Sequence, residues 1–501
     1  MKEIQVPAER VRAVNPHPWR PHGDYVLYWM TAYRRLSGNG ALDRAVWWAL
    51  KLGKPLIILE ALRCDYPWAS DRFHTFILQG MRENAARARS GSALYYPYVE
   101  RTPGEGKGLL HALGRRACVV VTDDFPAFFI PRAVEAAGRK LDVLLEKVDA
   151  NGLLPLDAPG KAFATAFAFR RYLQGALKKH LPWQPAANPL DRLPRKRPDV
   201  DLGDIPKRWP PCADEAMADI PALVSSLPVD HRVGACSACG GTEAARRRLR
   251  DFLHCKLSRY AVDRNHPDEE ATSGLSPYLH FGHIGAHEVF WAVCEQEGWS
   301  PDRLSARAAG SRQGWWGLSE GAEAFLDQLI TWRELGFTMC RYEPRFDTYE
   351  SLPAWAAETL DKHSGDPRPY LYSLEQFAEA RTHDPVWNAA QIQLLEEGVI
   401  HNYLRMLWGK KILHWSRSPR EALEIMIELN NRYALDGRDP NSYSGIFWIL
   451  GRYDRPWGPE RPVFGKIRYM SSESTVRKIR MEDYLGRYRP VESRDPPVCP
   501  S

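Results

Sequence analysis

Apolar residues in the first third of the chain come in short unbroken runs. Tyr25–Trp29 (YVLYW), Pro55–Leu62 (PLIILEAL), Ala117–Thr122 (ACVVVT) and Asp142–Val148 (DVLLEKV) predict buried strands. Leu94–Val99 (LYYPYV) predicts a fifth, and Pro97 puts it at a sheet edge, because proline has no N–H for the ladder. Between these runs, Ala41–Lys51 and Phe73–Ala88 repeat apolar residues every three to four positions, as amphipathic helices do. Unbroken runs separated by helices predict a parallel sheet with crossover helices. The expectation is a Rossmann-like α/β domain over residues 24–155, after an N-terminal extension of residues 1–23. No GxGxxG follows the first strand, so the dinucleotide fingerprint is missing. Thr122–Phe129 (TDDFPAFF) follows a strand end, the side on which α/β sheets bind ligands.

The pattern then changes. Residues 156–241 read as an interdomain segment. Within it, residues 183–235 are rich in Pro, Asp and Arg, carry little periodicity, and predict a linker draped over the surface. From Thr242 onward helical spacing dominates: Glu243–Arg259, His287–Glu297, Ala322–Phe337, Leu374–Ala380, Val386–Glu397, Asn402–Ser416 and Arg420–Tyr433. The expectation is an all-helical domain over residues 242–487 and a short tail, 488–501.

Composition narrows the class. The chain of 501 residues, 44% hydrophobic and 26% charged, has the make-up of a soluble globular protein with two or three cores. No apolar run approaches the roughly 18 residues of a membrane span. The N-terminal MKEIQVPAERVRAV lacks the apolar centre of a secretory signal. Nine scattered cysteines suit a reducing compartment, so a cytoplasmic, nucleoid-associated protein is expected. Cys236 and Cys239 form a lone CxxC; a metal site needs further ligands, and none is expected. Residues 401–501 hold 18 Lys and Arg against 12 Asp and Glu, which accounts for the whole net charge of +6. Basic excess confined to one segment is the footprint of a phosphate-binding surface, or of a solvated basic tail.

The densest chemistry lies in that segment. In a helix from Asn402 to Trp415, Asn402, Arg405 and Trp408 share a face. Trp408 and Trp415 point the same way about 10 Å apart along the axis. Trp387, opening the preceding helix, is a candidate to bridge them. A line of indoles is a path for stepwise electron transfer, and equally a tryptophan-rich helix interface. Arg405 is placed to pair with Asp436 of the Asp436–Pro440 turn (DGRDP), which needs full hydrogen bonding if buried. Thr272–Gly282 (TSGLSPYLHFG) offers hydroxyls and free backbone N–H groups that suit a pyrophosphate or a plain helix cap.

Taken together, HNYLRMLWGKKILHW, LNNRYALDGRDPN, DRPW, RPVFGKIRYM, TSGLSPYLHFG and the LITWREL segment resemble the photolyase/cryptochrome family. The closest likeness is to class II cyclobutane pyrimidine dimer photolyases and their bacterial relatives. The resemblance is strong over residues 250–485 and weaker over 24–155. It implies an α/β antenna domain joined to an all-helical domain that holds FAD in a U shape. Tyr260, Thr272, Ser273, Gly274, Leu275 and Ser276 would then contact the phosphates and ribityl chain, with Arg333 also against FAD. Asn402, Arg405, Asp436 and Asp439 would line the flavin ring. Asn430 would face flavin N5, with Asn431 as second choice. The electron relay implied is Trp408 nearest the flavin, Trp387 in the middle and Trp415 at the surface. Trp332, Trp448 and Tyr403 would belong to the lesion pocket, and Arg455 and Arg468 would meet the DNA.

The resemblance implies a monomer that binds UV-damaged DNA and repairs pyrimidine dimers by light-driven electron transfer. A second antenna chromophore of unspecified identity is expected near the strand ends. One position departs from the family pattern. Where the glutamate that bonds the lesion usually stands, this chain has Gln328 in DQLITWREL. Glutamine keeps a donor and an acceptor but has no charge and no carboxylic proton. Two functions therefore stay open on sequence: a repair enzyme, and a cryptochrome-like photoreceptor with the same flavin and relay.

Overall fold

The computed structural model describes residues 5–89, 91–195 and 199–489. Six strands form one sheet in the order β1-β6-β5-β2-β3-β4. They are β1 (Val11–Ala13), β2 (Tyr25–Met30), β3 (Leu56–Leu62), β4 (Ala93–Val99), β5 (Ala117–Asp123) and β6 (Leu145–Val148). β2 to β6 run parallel, as the unbroken apolar runs predict. β4, with Pro97, lies at the edge. The other edge, β1, comes from the N-terminal extension and pairs antiparallel with β6. Three residues (VRA) are too few to show a strand period, so this one was invisible in the pattern.

Both faces of the sheet are covered. Val26, Tyr28, Ile58, Val119 and Val121 pack under helix Gly40–Leu52. The alternate residues Tyr25, Leu27, Ile57, Leu59 and Val120 pack under helices Leu109–Gly114 and Ile130–Lys140. This period of two on each strand, apolar on both faces, is why the runs read as continuous.

The interdomain segment departs from expectation. Helix Ala166–Ala176 buries Phe169 and Leu173. Met217, Ile220, Leu223 and Leu227, in the stretch read as a surface drape, are also buried, beside Phe73, Ile77 and Met81 of helix Asp71–Ala88. Short helical turns, Asp214–Ala218 and Ile220–Ser225, expose too few repeats for a period to register. The remainder is helical, as predicted. Among the helices left unread is Pro440–Ile449, with Pro440 in its first turn and the Asp439 carboxylate accepting from Asn441 N at its N-cap.

The stretch read as one helix over Ala322–Phe337 is three pieces. An α-helix, Glu320–Leu326, passes into a wider π-helical coil, Asp327–Trp332, and then helix Arg333–Tyr342. Such widened turns are frequent at functional sites. No helix among the described residues is long and apolar enough to cross a membrane. Of the predicted tail, residues 490–501 lie outside the described residues.

Candidate functional site

The two turns singled out in the sequence meet in the helical domain. Arg405 points its guanidinium at Asp436, with Nη2 at 3.2 and 3.4 Å from the two carboxylate oxygens. Ser276, closing the TSGLS turn, hydrogen-bonds the same carboxyl. Burial raises the Asp436 pKa, but Arg405 and Ser276 outweigh it and hold the carboxyl below its ordinary value. His280, four residues after Ser276, places Nδ1 at 3.3 Å from Asp439. Burial lowers the His280 pKa against the pull of that carboxylate.

Asn431 and Asn430 divide their work. Asn431 is fully buried and holds the DGRDP turn: its Nδ2 donates to Tyr443 Oη, its Oδ1 accepts from Arg438 N at 2.9 Å, and its carbonyl accepts from Arg438 Nη1. Those bonds keep Arg438 at a φ of +66°, a left-handed conformation unusual for any residue but glycine. Gly437 is required beside it, since a Cβ there would lie 2.6 Å from the Asn430 carbonyl. Asn430 Nδ2 donates to Ser442 Oγ at 2.7 Å. Asn430 Nδ2 also reaches Asn431 Oδ1 at 3.3 Å, so the two amides belong to one network.

The remaining predicted cofactor residues stand in different surroundings. Thr272 and Ser273 are half-buried, Leu275 is buried and Gly274 is exposed at a φ of +63°. Arg248, unforeseen in the sequence, lies beside that turn, its Nε 3.2 Å from where a Gly274 Cβ would stand. Tyr260 is buried among Phe252 and Phe325, with Arg264 5.5 Å from its ring. Arg333 sits at the domain seam: its Nη1 donates to the Asn151 carbonyl, and its guanidinium lies 4.2 Å from the Phe337 ring. Asn402 is exposed at the start of its helix, and Tyr403 is half-buried.

These residues fit a flavin dinucleotide. Arg405 Nε is buried with no hydrogen-bond partner among the described residues, which leaves it to a ligand or an ordered water. The donor set of two carboxylates, an amide, a guanidinium and a hydroxyl-bearing turn matches a flavin's ring N–H groups, carbonyls and phosphates.

The indole line is present. Trp408 and Trp387 stack at 6.4 Å with planes 5° apart, and Trp387 meets Trp415 at 6.3 Å and 66°. Gln391 Oε1 accepts from Trp408 Nε1, and the Trp408 carbonyl accepts from Trp387 Nε1. One expectation fails: Trp415 is not at the surface but 1% exposed, covered by Tyr372 at 5.6 Å and His383 at 5.0 Å. Those covering residues stand on either side of the short helix Leu374–Ala378, in loops whose contacts sequence spacing does not show.

Trp332 and Trp448 come together at 5.3 Å. Gly445, one turn before Trp448, would carry a Cβ into open space. Gln328 lies half-buried on the π-helical segment that ends at Trp332. Its neighbour Asp327 turns away, bonded through both oxygens to Arg170. Arg455 and Arg468 are exposed and flank Trp457 at 4.5 and 5.3 Å from its ring, making a basic platform. Trp457, the indole of DRPW, had been quoted only as part of a motif.

A cavity of about 760 Å³ opens at the carboxyl ends of the strands. Tyr66, Phe128 and Phe129 form an aromatic wall, and Lys107, Lys140 and Arg63 supply cations. The Phe residues belong to the TDDFPAFF segment flagged for its position. In that segment Asp123 accepts from the backbone of Thr31, Ala32 and Tyr33, which fixes the loop leaving β2 over the cavity. Its far wall includes His280, Phe281 and Arg438 from the helical domain.

Comparison with known proteins followed the same lines. No protein-family model matches the chain. The deoxyribodipyrimidine photo-lyase of Methanothermobacter thermautotrophicus is 35% identical over 485 residues, 96% of this chain and 98% of that relative. The deoxyribodipyrimidine photo-lyase of Oryza sativa subsp. japonica is 36% identical over 497 residues, 95% of this chain and 90% of its own. Among solved structures, a bacterial class III photolyase from Agrobacterium tumefaciens shares the fold, with a TM-score of 0.63 and 17% identity over 93% of this chain and 86% of that one.

Proposed function

The chain belongs to the photolyase/cryptochrome family, a DNA photolyase by its relatives, and from that premise we propose that it splits cyclobutane pyrimidine dimers in DNA under light. The observation that carries the reading is the junction of Arg405, Asp436 and Ser276, with Trp408 one turn along the helix from Arg405 and stacked on Trp387. FAD, held by that junction, supplies excitation by light and the single electron that opens the dimer ring.

The protein's part is binding, orientation and charge. Asp436, held below its ordinary pKa by Arg405 and Ser276, would accept from ring N–H groups of the cofactor. Asn430, whose Nδ2 is engaged by Ser442 and Asn431, would offer its amide oxygen as an acceptor. Thr272, Ser273 and Arg248 suit the phosphates. Trp332 and Trp448 form an apolar corner for a lesion flipped out of the duplex; a dimer stacks poorly, so its extrusion costs less than that of a normal pair. Gln328 donates its amide N–H to a pyrimidine carbonyl but has no proton to give. Arg455, Arg468 and Trp457 meet the backbone phosphates and an adjacent base. Trp408, Trp387 and Trp415 reduce the cofactor and take no part in ring splitting. We assign the 760 Å³ cavity to a second, antenna chromophore, whose planar ring suits the wall of Tyr66, Phe128 and Phe129.

The test is a repair assay with photoreduced protein and oligonucleotides, single-stranded and duplex, each carrying one thymine dimer. Light-dependent recovery of intact thymines, absent in the dark, is expected. No repair by protein that retains reducible flavin would leave the second reading, a photoreceptor, which Gln328 alone favours.

A further inference from the structure

The CxxC pair, Cys236 and Cys239, lies on the loop that leads into helix Thr242–Cys255 and has no part in the flavin-type centre. Both are free thiols, Cys239 exposed and Cys236 half-buried, and the chain bends at Ser237 between them. Among the described residues no cluster of three metal-ligating side chains includes them. Both sulfurs lie close enough to the Tyr278 hydroxyl to act on it electrostatically, so the two thiols converge on one phenol. A disulfide needs its Cα atoms about 4.4–6.8 Å apart, a span that four residues reach where the chain turns.

The loop is fastened at both ends and free in the middle. At its start, Arg72 Nε donates to the Gly234 carbonyl at 3.1 Å, while the other guanidinium nitrogens donate to the carbonyls of Leu394, Leu395 and Tyr433. At its end, Gly240 N donates to Gln79 Oε1, and Gly241 N donates to His283 Nδ1 at 2.9 Å. Residues 235–238 make no main-chain hydrogen bond among the described residues. Such a segment can close a ring without undoing its anchors. The Cys239 carbonyl accepts from Tyr278 Oη at 2.9 Å. Tyr278 belongs to helix Ser276–His280, whose two end residues bond Asp436 and Asp439. One phenol therefore separates the thiol pair from the flavin-type centre.

We propose that Cys236 and Cys239 form a reversible dithiol–disulfide site whose state sets how firmly helix Ser276–His280 holds the flavin. The coupling rests on the proposed flavin site; the thiol chemistry stands without it. The oxidant is a small-molecule disulfide. The exposed Cys239 thiolate attacks one of its sulfurs and expels one small thiolate. The Cys236 thiolate then displaces the second and forms the Cys236–Cys239 bond. Two electrons pass from the protein sulfurs to the small disulfide, and the two thiol protons leave on the two small thiols. Closing the ring turns the Cys239 side chain from solvent toward Cys236, which rotates its peptide and takes the carbonyl off Tyr278. Oxidation thus loosens the helix, and a reducing thiol restores it.

The experiment equilibrates purified holoprotein in the dark with graded mixtures of reduced and oxidised glutathione, then alkylates free thiols. Trypsin cuts after Arg232 and Arg246, so both cysteines and no other fall in one peptide. That peptide is expected unalkylated and two hydrogens lighter, at mixtures that leave the exposed Cys255 a thiol. Flavin fluorescence should then report release about five-fold faster, the worth of one neutral hydrogen bond, and return to the first rate with dithiothreitol. Cys239→Ser should form no internal bond and release flavin at one rate throughout. Tyr278→Phe should still form the disulfide, with the same release rate in both states. A peptide that stays a dithiol, or carries glutathione on separate cysteines, would overturn the site. A disulfide that leaves flavin release unchanged, or a rate difference that persists in Tyr278→Phe, would overturn the coupling. Protein purified without flavin would overturn the flavin site and the coupling with it, while the peptide masses still decide the thiol site.

Discussion

At the scale of single residues, Gln328 and Asp436 carry the sharpest consequences. Replacing Gln328 with Glu restores a charged acceptor and a titratable proton at the lesion. A hydrogen bond to a charged group is worth roughly 1 kcal/mol more than a neutral one, so repair yield should rise about five-fold under limiting light. Asp436→Asn would leave Arg405 as a largely buried cation without its counter-charge. The expected cost is about 3 kcal/mol, with flavin occupancy falling alongside, both readable from thermal unfolding and the flavin absorbance of purified protein. Because the folded Asp436 pKa lies below its ordinary value, its contribution is present at neutral pH and lost as acid titrates the carboxyl. Trp387→Phe interrupts the stack and should bring photoreduction in blue light to background, followed by the bleaching of oxidised flavin.

At the scale of elements, much was written in the chain. Unbroken apolar runs marked five strands, and Pro97 marked an edge, because a ladder without an N–H has one safe place. Spacing along Asn402–Trp415 gave the indole line, and the Arg405–Asp436 pair was anticipated from residue chemistry. Other features depend on contacts between distant segments. The coil widens at Asp327–Trp332 without any glycine or proline to announce it. The cover over Trp415 depends on where a loop thirty residues earlier comes to rest. Burial of Leu223 and Leu227 needed the groove beside helix Asp71–Ala88. Gly336 shows the same dependence. A Cβ there would lie 2.9 Å from the Pro440 carbonyl and 2.8 Å from Ser444 Oγ. Gly336→Ala should therefore cost roughly 1–3 kcal/mol and, by displacing the helix that carries Trp448, lower dimer affinity as measured by lesion-oligonucleotide binding.

At the scale of the whole molecule, the two domains share buried charge. Arg341 of the helical domain bonds Asp124 and Asp157, and the Glu334 carboxylate accepts from Leu153 N and Leu154 N. Burial pushes the Glu334 pKa up to about 7. Burial also lowers His74 to about 4, His283 to about 3, and His287 well below its ordinary value. These histidines stay neutral in the folded chain, whereas the unfolded chain takes up their protons below roughly pH 6.5. Each of the three histidines should therefore cost about 1–2 kcal/mol of stability as pH drops from 7.5 to 5, while Glu334, with its raised pKa, works in the opposite direction. Melting temperature against pH measures this, and His74→Asn should flatten the slope.

One turn, Asp436–Pro440, borders both the large cavity and the flavin-type centre. Arg438 lines the cavity, while Asp436 and Asp439 on either side of it bond Arg405 and His280. Ligands held at the two places should therefore be thermodynamically linked. Whatever free energy one ligand gains by fixing Arg438 in its left-handed conformation is available to the other, and the coupling is reciprocal. Titrating a chromophore into the cavity should thus tighten flavin retention by the same factor by which flavin tightens the chromophore, so each pigment helps to keep its neighbour in place.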